Sequence, residues 1–370
     1  MRIYIDTSRN GGSLSAKYKG KSFFQVWTTP RSHYDQITSF LKEAAPLIKK
    51  SKEVKVFYSA GPGSFTGLKM GLTVSKLTCV IKKDCRMFPS PTPDLLSQKL
   101  SLEVPFCIHY ASKRKERFAA CYIPSEEPLR VSPFLSVPAE KIDDFARTFL
   151  GKKYTLVDSD EIPLADEGTY HFDSLEEKYS EVNFSAEALS PIYLLPPQVS
   201  KPEPGNIALI GFMGSGKSTV GRILSEALKV PLVETDSLIE ESEGMKIKEI
   251  FARKGEKYFR ELEKKICTDA LSREKTILSL GGGSITIPEV RNALKKSLVI
   301  LLEVEPWEAL KRNSGSQDRP LISRAYELWG KRWGIYYSIA DLHIKTSLKT
   351  PESVAEEILK TLNFIGFEFP

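Results

Sequence analysis

Nowhere does the chain run through the roughly 18 consecutive apolar residues that a membrane-spanning helix needs, so no membrane role is expected. Cysteine is scarce. The five present (Cys79, Cys85, Cys107, Cys121, Cys267) are odd in number, include no CxxC pair and sit mostly among apolar neighbours. Metal sites and disulfides are therefore not expected, and all five read as buried thiols. A strong excess of one charge is missing too. The 53 basic and 47 acidic residues leave a net +6 spread along the chain, unlike the concentrated stripe of a duplex-binding protein. The cluster Lys113-Arg114-Lys115 lies between two strand-like runs, PFCIHYAS and RFAACYIP, and reads as a solvated hairpin tip; no direct nucleic-acid binding follows from it. The opening MRIYIDTSRN carries neither a basic-then-apolar leader nor an Arg/Ser-rich presequence, which makes a cytoplasmic location the expectation. Internal repeats and low-complexity segments are also absent.

What is present is a globular balance of 41% apolar and 27% charged residues. At 370 residues the chain exceeds the size at which one core stops growing, so two domains are expected. Leu195–Gly205 holds four prolines and a glycine and little that could be buried, the chemistry of a linker. The expected division is a first domain over 1–196, a linker over 197–205 and a second domain over 206–370. Downstream, short apolar strands alternate with amphipathic helices: Ile207–Ile210, a helix from Lys217, Val230–Val233, helices across Ser237–Leu271, Thr276–Leu280, Leu298–Val304 and a final helix Pro351–Leu362. That alternation implies a parallel sheet covered on both faces. Upstream, strands Arg2–Asp6, Ser13–Tyr18 and Phe23–Thr28, a helix Tyr34–Ile48 and a strand Val54–Ser59 predict an α/β domain of another type.

Gly211-Phe-Met-Gly214-Ser215-Gly216-Lys217-Ser218-Thr219 follows an apolar strand and opens a helix, the full context of a GxxxxGK[ST] phosphate loop. Its glycines let successive N–H groups curl inward onto phosphate oxygens, and the helix N-terminus adds the positive end of its dipole. Lys217 is expected to reach the β- and γ-phosphates of ATP, and the Ser218 hydroxyl to bind Mg²⁺. This names the donor and leaves the acceptor open.

Further segments follow in order: Glu234-Thr-Asp236-Ser-Leu-Ile-Glu240, Ile250 to Glu263, Leu278-Ser-Leu-Gly281-Gly282-Gly283, Asp318-Arg319-Pro-Leu321, and Lys331-Arg332-(x)₃-Tyr336. In order and spacing they resemble shikimate kinase over essentially all of residues 206–346. The resemblance implies a P-loop kinase with a five-stranded parallel sheet that phosphorylates shikimate. It gives Asp236 the role of orienting the acceptor hydroxyl and taking its proton, and Arg260 and Arg332 the role of clamping the acceptor carboxylate. Glu263 would orient Arg260, and Gly281–Gly283 would bring bare backbone against acceptor and phosphate. Arg312 would pack on adenine, and Arg319 would close onto the phosphates from a polar lid. The family usually has Asp-x-Asp where this chain has Glu234-Thr-Asp236; the first acid supports Mg²⁺ through water. A gluconate-type kinase is the competing enzyme reading, disfavoured by the paired arginines and the glycine run. A degenerate kinase within a scaffold is the other, disfavoured by intact Lys217, Ser218, Asp236 and Arg319.

Ala60-Gly-Pro-Gly-Ser-Phe-Thr-Gly-Leu-Lys-Met-Gly71 lacks the Lys-Ser/Thr of a phosphate loop. Together with Ile3-Tyr-Ile-Asp6-Thr-Ser8, Arg31-Ser-His33 and Ser190-Pro-Ile-Tyr193-Leu it resembles the TsaB (YeaZ) family of tRNA threonylcarbamoyladenosine synthesis. That resemblance spans about residues 1–194. It implies a two-lobed, actin/Hsp70-like (ribonuclease H-like) fold without nucleotide chemistry of its own, acting as scaffold for a TsaD-like partner. Where the family carries Asp-Ala/Ser-Arg, this chain reads Tyr110-Ala-Ser-Lys113.

Overall fold

The computed structural model describes residues 1–29, 33–112, 115–159, 204–313 and 324–370, with positions 162, 179, 182, 184, 189–192 and 194. The described chain divides into two compact units, Met1–Pro196 and Pro197–Pro370. Most of the expected linker, 197–203, lies outside the described residues, as do Arg31, Lys113, Arg114, Tyr193 and Arg319.

The first unit begins with β1 (Arg2–Asp6), β2 (Gly12–Tyr18) and β3 (Lys21–Trp27), an antiparallel run. Lys19 and Gly20, both at positive φ, form the tight turn between β2 and β3, the two-residue geometry that matches strand twist. Then come α1 (His33–Lys50), β4 (Val54–Gly61), α2 (Phe65–Ile81) and β5 (Cys85–Pro91), with β4 and β5 added parallel to give the order β3-β2-β1-β4-β5. The helix α1 buries Ile37, Phe40, Ala44 and Ile48, three or four residues apart as an amphipathic face requires. A short α3 (Thr92–Ser97) leads to a second lobe of β6 (Phe106–Ala111), β7 (Glu116–Ile123), β8 (Leu129–Arg130), β9 (Leu135–Pro138), α4 (Ile142–Leu150) and β10 (Thr155–Asp158). Its sheet runs β10-β6-β7-β8, with β9 also on β7. Phe106, Tyr110, Phe118, Tyr122 and Phe134 form its core.

Arg9 ties the lobes together. Its Nη1 donates to the carbonyls of Ser159 (2.6 Å) and Ile162 (3.1 Å) beyond β10, while Nη2 lies 3.7 Å from Asp6 Oδ2. Both side chains are buried. Burial pushes the Asp6 carboxyl up, but Arg9 and the hydroxyls of Ser8 and Ser59 outweigh it and hold it below its usual value. The glycine loop before α2 and the first turn of that helix are packed against this same segment. A Cβ on Gly67 would fall 1.8 Å from Thr7 O, and one on Gly63 2.3 Å from Ser8 O.

One expectation is corrected. Cys79, near the end of α2, and Cys85, at the start of β5, form a disulfide. The turn between helix and strand folds back within six residues and brings the two Cα atoms to 4.9 Å, inside the range a disulfide spans. An odd count and unremarkable spacing gave no hint of that reversal. Cys107, Cys121 and Cys267 are in no disulfide and are buried, as expected.

The second unit is β11 (Asn206–Ile210), α5 (Lys217–Leu228), β12 (Leu232–Glu234), α6 (Thr235–Glu243), α7 (Ile247–Leu271), β13 (Ile277–Ser279), α8 (Pro288–Ala293), β14 (Ser297–Glu303), α9 (Pro306–Asn313), α10 (Ala325–Ile339), β15 (Leu342–Lys345) and α11 (Pro351–Ile365). Its strands pair in parallel in the order β12-β13-β11-β14-β15. Every residue of β11 is buried, as is β14 up to Leu302, which is why these strands read as unbroken apolar runs. The two units thus have the two-lobed α/β layout and the five-stranded parallel sheet that the sequence implied. No helix among the described residues is long and apolar enough to cross a membrane.

Candidate active site

The carboxyl ends of β11, β12 and β13 meet at one edge of the sheet, where open α/β folds place their ligands. A cavity of about 810 Å³ lies there. The phosphate loop forms one wall. Gly211, Gly214 and Gly216 take φ of 150°, 75° and 91°, and the last two lie in the left-handed region that favours glycine. The close approach is as restrictive as the dihedrals: a Cβ on Gly214 would stand 2.3 Å from Asn313 Nδ2, and one on Gly211 2.6 Å from Leu302 O. Gly216 caps α5, so the unpaired first-turn N–H groups of that helix open into the loop. Lys217 Nζ donates to the carbonyls of Gly211 (2.9 Å) and Phe212 (3.1 Å). Ser215 is buried under the loop, whereas Ser218 and Thr219 are exposed on the cavity wall.

Asp236 lies in the first turn of α6, past the end of β12. The helix cap position is Glu234, with no side-chain cap bond, so Asp236 is not there to cap the helix. Both acids line the cavity. Facing them is the turn Gly281–Gly283. A Cβ on Gly281 would come 2.5 Å from Asp236 Oδ1, and one on Gly283 2.4 Å from Arg260 Nη1. Glycine is thus the residue that lets the acid and the arginine both close on the backbone.

Arg260 and Glu263, one turn apart on α7, pair at 2.5 Å between Nη1 and Oε2, and Nη2 reaches Glu256 at 3.3 Å. Glu263 is buried, which raises its carboxyl above the usual range; Arg260 pulls it back down, Asp236 pushes it up and Arg332 pulls it down. That one carboxyl feels Arg260, Asp236 and Arg332 at once shows how closely the four converge. Arg332, on α10, donates from Nη1 to Gly282 O at 3.1 Å. Arg312, on α9, holds Gly214 O (3.1 Å) and Thr346 O (2.9 Å) and pairs with Glu308 at 2.6 Å. It lines the cavity beside Pro351 and Val354. The structure therefore gathers every expected site residue around one cavity or in its loop except Arg319, which lies outside the described residues.

Three residues of this site were not singled out from the sequence for the positions they take. Thr235 Oγ1 accepts from Gly281 N at 3.0 Å and donates to Ser279 O at 3.3 Å. Tyr336 OH donates to Gly282 O at 2.5 Å. Cys267 lies behind them, its thiol pushed up to about 12 by burial and by Glu263. The Tyr336 phenol is likewise pushed up to about 12 by burial, against the pull of Arg332.

The phosphate cradle is one that any Cβ would fill, and a hydroxyl with a nearby carboxylate suits a hard cation that keeps water or phosphate oxygens as its other ligands. Among the described residues no group of three or more His, Cys, Asp or Glu could hold a metal by itself.

Residues 213–363 match the family model for shikimate kinase. The shikimate kinase of Sulfurihydrogenibium sp. (strain YO3AOP1) is 46% identical over 159 residues, which cover 42% of this chain and 95% of that protein. The chain belongs to the shikimate kinase family. Membership rests on its second unit, where the matched residues lie. Among solved structures, the shikimate kinase from Acinetobacter baumannii in complex with shikimate is similar over 45% of this chain and 96% of its own, at 31% identity and a TM-score of 0.43. YeaZ from Pseudomonas aeruginosa is similar over 52% of this family member and 98% of its own chain, at 16% identity and a TM-score of 0.41.

Proposed function

We propose that residues 206–370 transfer the γ-phosphoryl group of ATP to the 3-hydroxyl of shikimate. The observation that carries this reading is the convergence of Asp236, Arg260, Arg332 and the Gly281–Gly283 turn on a cavity walled by the phosphate loop. A kinase for an anionic polyol needs those groups together: donors for phosphate, an acid for the hydroxyl and a cationic clamp for a carboxylate.

In this reading Gly214, Gly216 and the first turn of α5 bind the phosphates through backbone N–H groups, and Lys217 turns its ammonium from the loop carbonyls to the β- and γ-phosphates. Ser218, and Glu234 through water, would hold Mg²⁺, which supplies charge neutralisation between the phosphates. Arg312 covers the adenine. Arg260, oriented by Glu263, and Arg332 hold the shikimate carboxylate by paired charge-assisted hydrogen bonds. Asp236 accepts a hydrogen bond from the reacting hydroxyl and takes its proton as the bond to phosphorus forms. Arg319 closes over the phosphates.

The first unit acts as a TsaB-like scaffold for a TsaD-like partner in tRNA threonylcarbamoyladenosine modification. Supporting this, its glycine loop is occupied by the backbone of Thr7 and Ser8, which leaves those glycines structural work rather than phosphate binding. The test of the kinase reading is ATP consumption with shikimate, with gluconate and with no acceptor, the product identified by mass. Shikimate-dependent turnover is expected; turnover of gluconate alone would overturn the assignment.

A further inference from the structure

A run of three glycines is the least constrained backbone a chain can make, yet Gly281–Gly283 must hold its place to a fraction of an ångström. Gly281 has no slack, with Asp236 Oδ1 only 2.5 Å from where its Cβ would be. The restraint comes from outside the turn. Thr235 Oγ1 accepts from the Gly281 N–H and donates its own O–H to Ser279 O, bridging the first residue of α6 to β13 and the turn beyond it. Its side chain is wholly buried. Gly281 O is held by Ser284 through N (3.1 Å) and Oγ (2.8 Å). Gly282 O is held twice, by Arg332 and by Tyr336. Those two lie four residues apart on α10 and so share a face. With its phenol pushed up to about 12 by burial, Tyr336 remains a donor at any pH where a kinase works.

We propose that Thr235 and Tyr336 are positioning residues that pin the glycine turn between Asp236 and the arginines, so that two hydroxyls set the acceptor's geometry. This rests on the kinase reading above. Thr235 precedes the acid directly, so its bond to Gly281 fixes the distance from acid to turn. Tyr336 shares its acceptor oxygen with Arg332, so it fixes the distance from turn to clamp. Losing either pin leaves the acid and the clamp intact but lets the surface between them drift.

The experiment measures steady-state constants for both substrates in wild type, Thr235→Val, Thr235→Ser and Tyr336→Phe. Valine keeps the shape and deletes the hydroxyl; serine keeps the hydroxyl. The valine and phenylalanine variants should lose about ten- to a hundredfold in kcat, the scale of a small misplacement of reacting groups. Their KM for shikimate should rise while that for ATP stays within about twofold, because the phosphate loop is untouched. Thr235→Ser should recover kcat to within about threefold of wild type, since it restores the bond. Full kcat in the valine and phenylalanine variants, a serine variant no better than valine, or parallel rises in both KM values would overturn the inference while the kinase reading stands. A wild-type enzyme that ignores shikimate would overturn both.

Discussion

At the scale of single residues, backbone carbonyls hold Lys217 and Arg332, and the acids Glu263 and Glu308 hold Arg260 and Arg312. Lys217→Ala and Asp236→Asn should each lower turnover at least about a hundredfold, the size of one lost electrostatic or acid–base contribution, measured with saturating shikimate and ATP. Gly281→Ala is a sharper probe because it adds a single methyl. That methyl would sit 2.5 Å from Asp236 Oδ1 and 3.0 Å from Oε1 of the buried Glu263. Activity should therefore collapse, measured as kcat with saturating shikimate and ATP, and near-normal turnover would show that the turn does not meet the acid. Glu263 supplies a pH signature. Burial raises its folded-state pKa above the ordinary 4.5, against the pull of Arg260, so the folded chain binds this proton more readily than the unfolded one. Its contribution to stability therefore grows as pH falls through the window just above 4.5 and is lost as pH rises. Binding of the acid substrate should move the other way, since protonation removes the partner of Arg260. KM for shikimate should climb more steeply on acidification in wild type than in Glu263→Gln, in which only the titration of the other carboxylates remains. Lys217 and Ser218 were legible from the phosphate-loop pattern itself, and Asp236, Arg260 and Arg332 through the resemblance of their ordered segments to shikimate kinase. Thr235 was not, because a threonine between two acids reads as a spacer until its bond to Gly281 is seen.

Elements were legible where a periodic apolar face or a continuous apolar run marks them, as in β11 and β14. The strand Arg2–Asp6 and the helix beginning at Lys217 lie where the strand-like opening and the phosphate-loop context put them. The helix α10 was missed: it buries nine residues around its circumference, includes Gly330 and Gly334, and so shows no amphipathic period. β15 has four residues, too few to show alternation. Within α7, Gly255 (φ 79°, ψ 167°) breaks the helix in two, which sets the direction of the half that carries Arg260 and Glu263. The pairing of Cys79 with Cys85 belongs to this scale, since only the turn from α2 into β5 makes them neighbours. Under native conditions without reductant, iodoacetamide should label essentially nothing, because Cys107, Cys121 and Cys267 are buried. After mild reduction two thiols should react, counted by mass. Labelling of Cys79 and Cys85 before reduction would show the bond to be absent in solution.

For the whole molecule, the Pro-rich stretch before Gly205 predicts two independently folding pieces. Residues 204–370 alone should keep the kinase activity of the full chain, and residues 1–196 should capture a TsaD-like partner in a pull-down without binding ATP in a titration. Tight ATP binding by that piece would make the first half a nucleotide enzyme. The overall plan could be read from sequence because two motif sets on either side of a proline cluster describe two folds; how each sheet ends could not. In the kinase sheet the outer strands are β12 and β15, of three and four residues, templates too short for a stray strand to extend. The first lobe ends differently: β3 is seven residues long, and Phe24 and Val26 on it are 51% and 41% exposed. A long edge with apolar side chains is where chains zip together into aggregates. Shelf life in concentrated solution is therefore set by β3, and Val26→Lys, which places a charge on that exposed edge, would lengthen it.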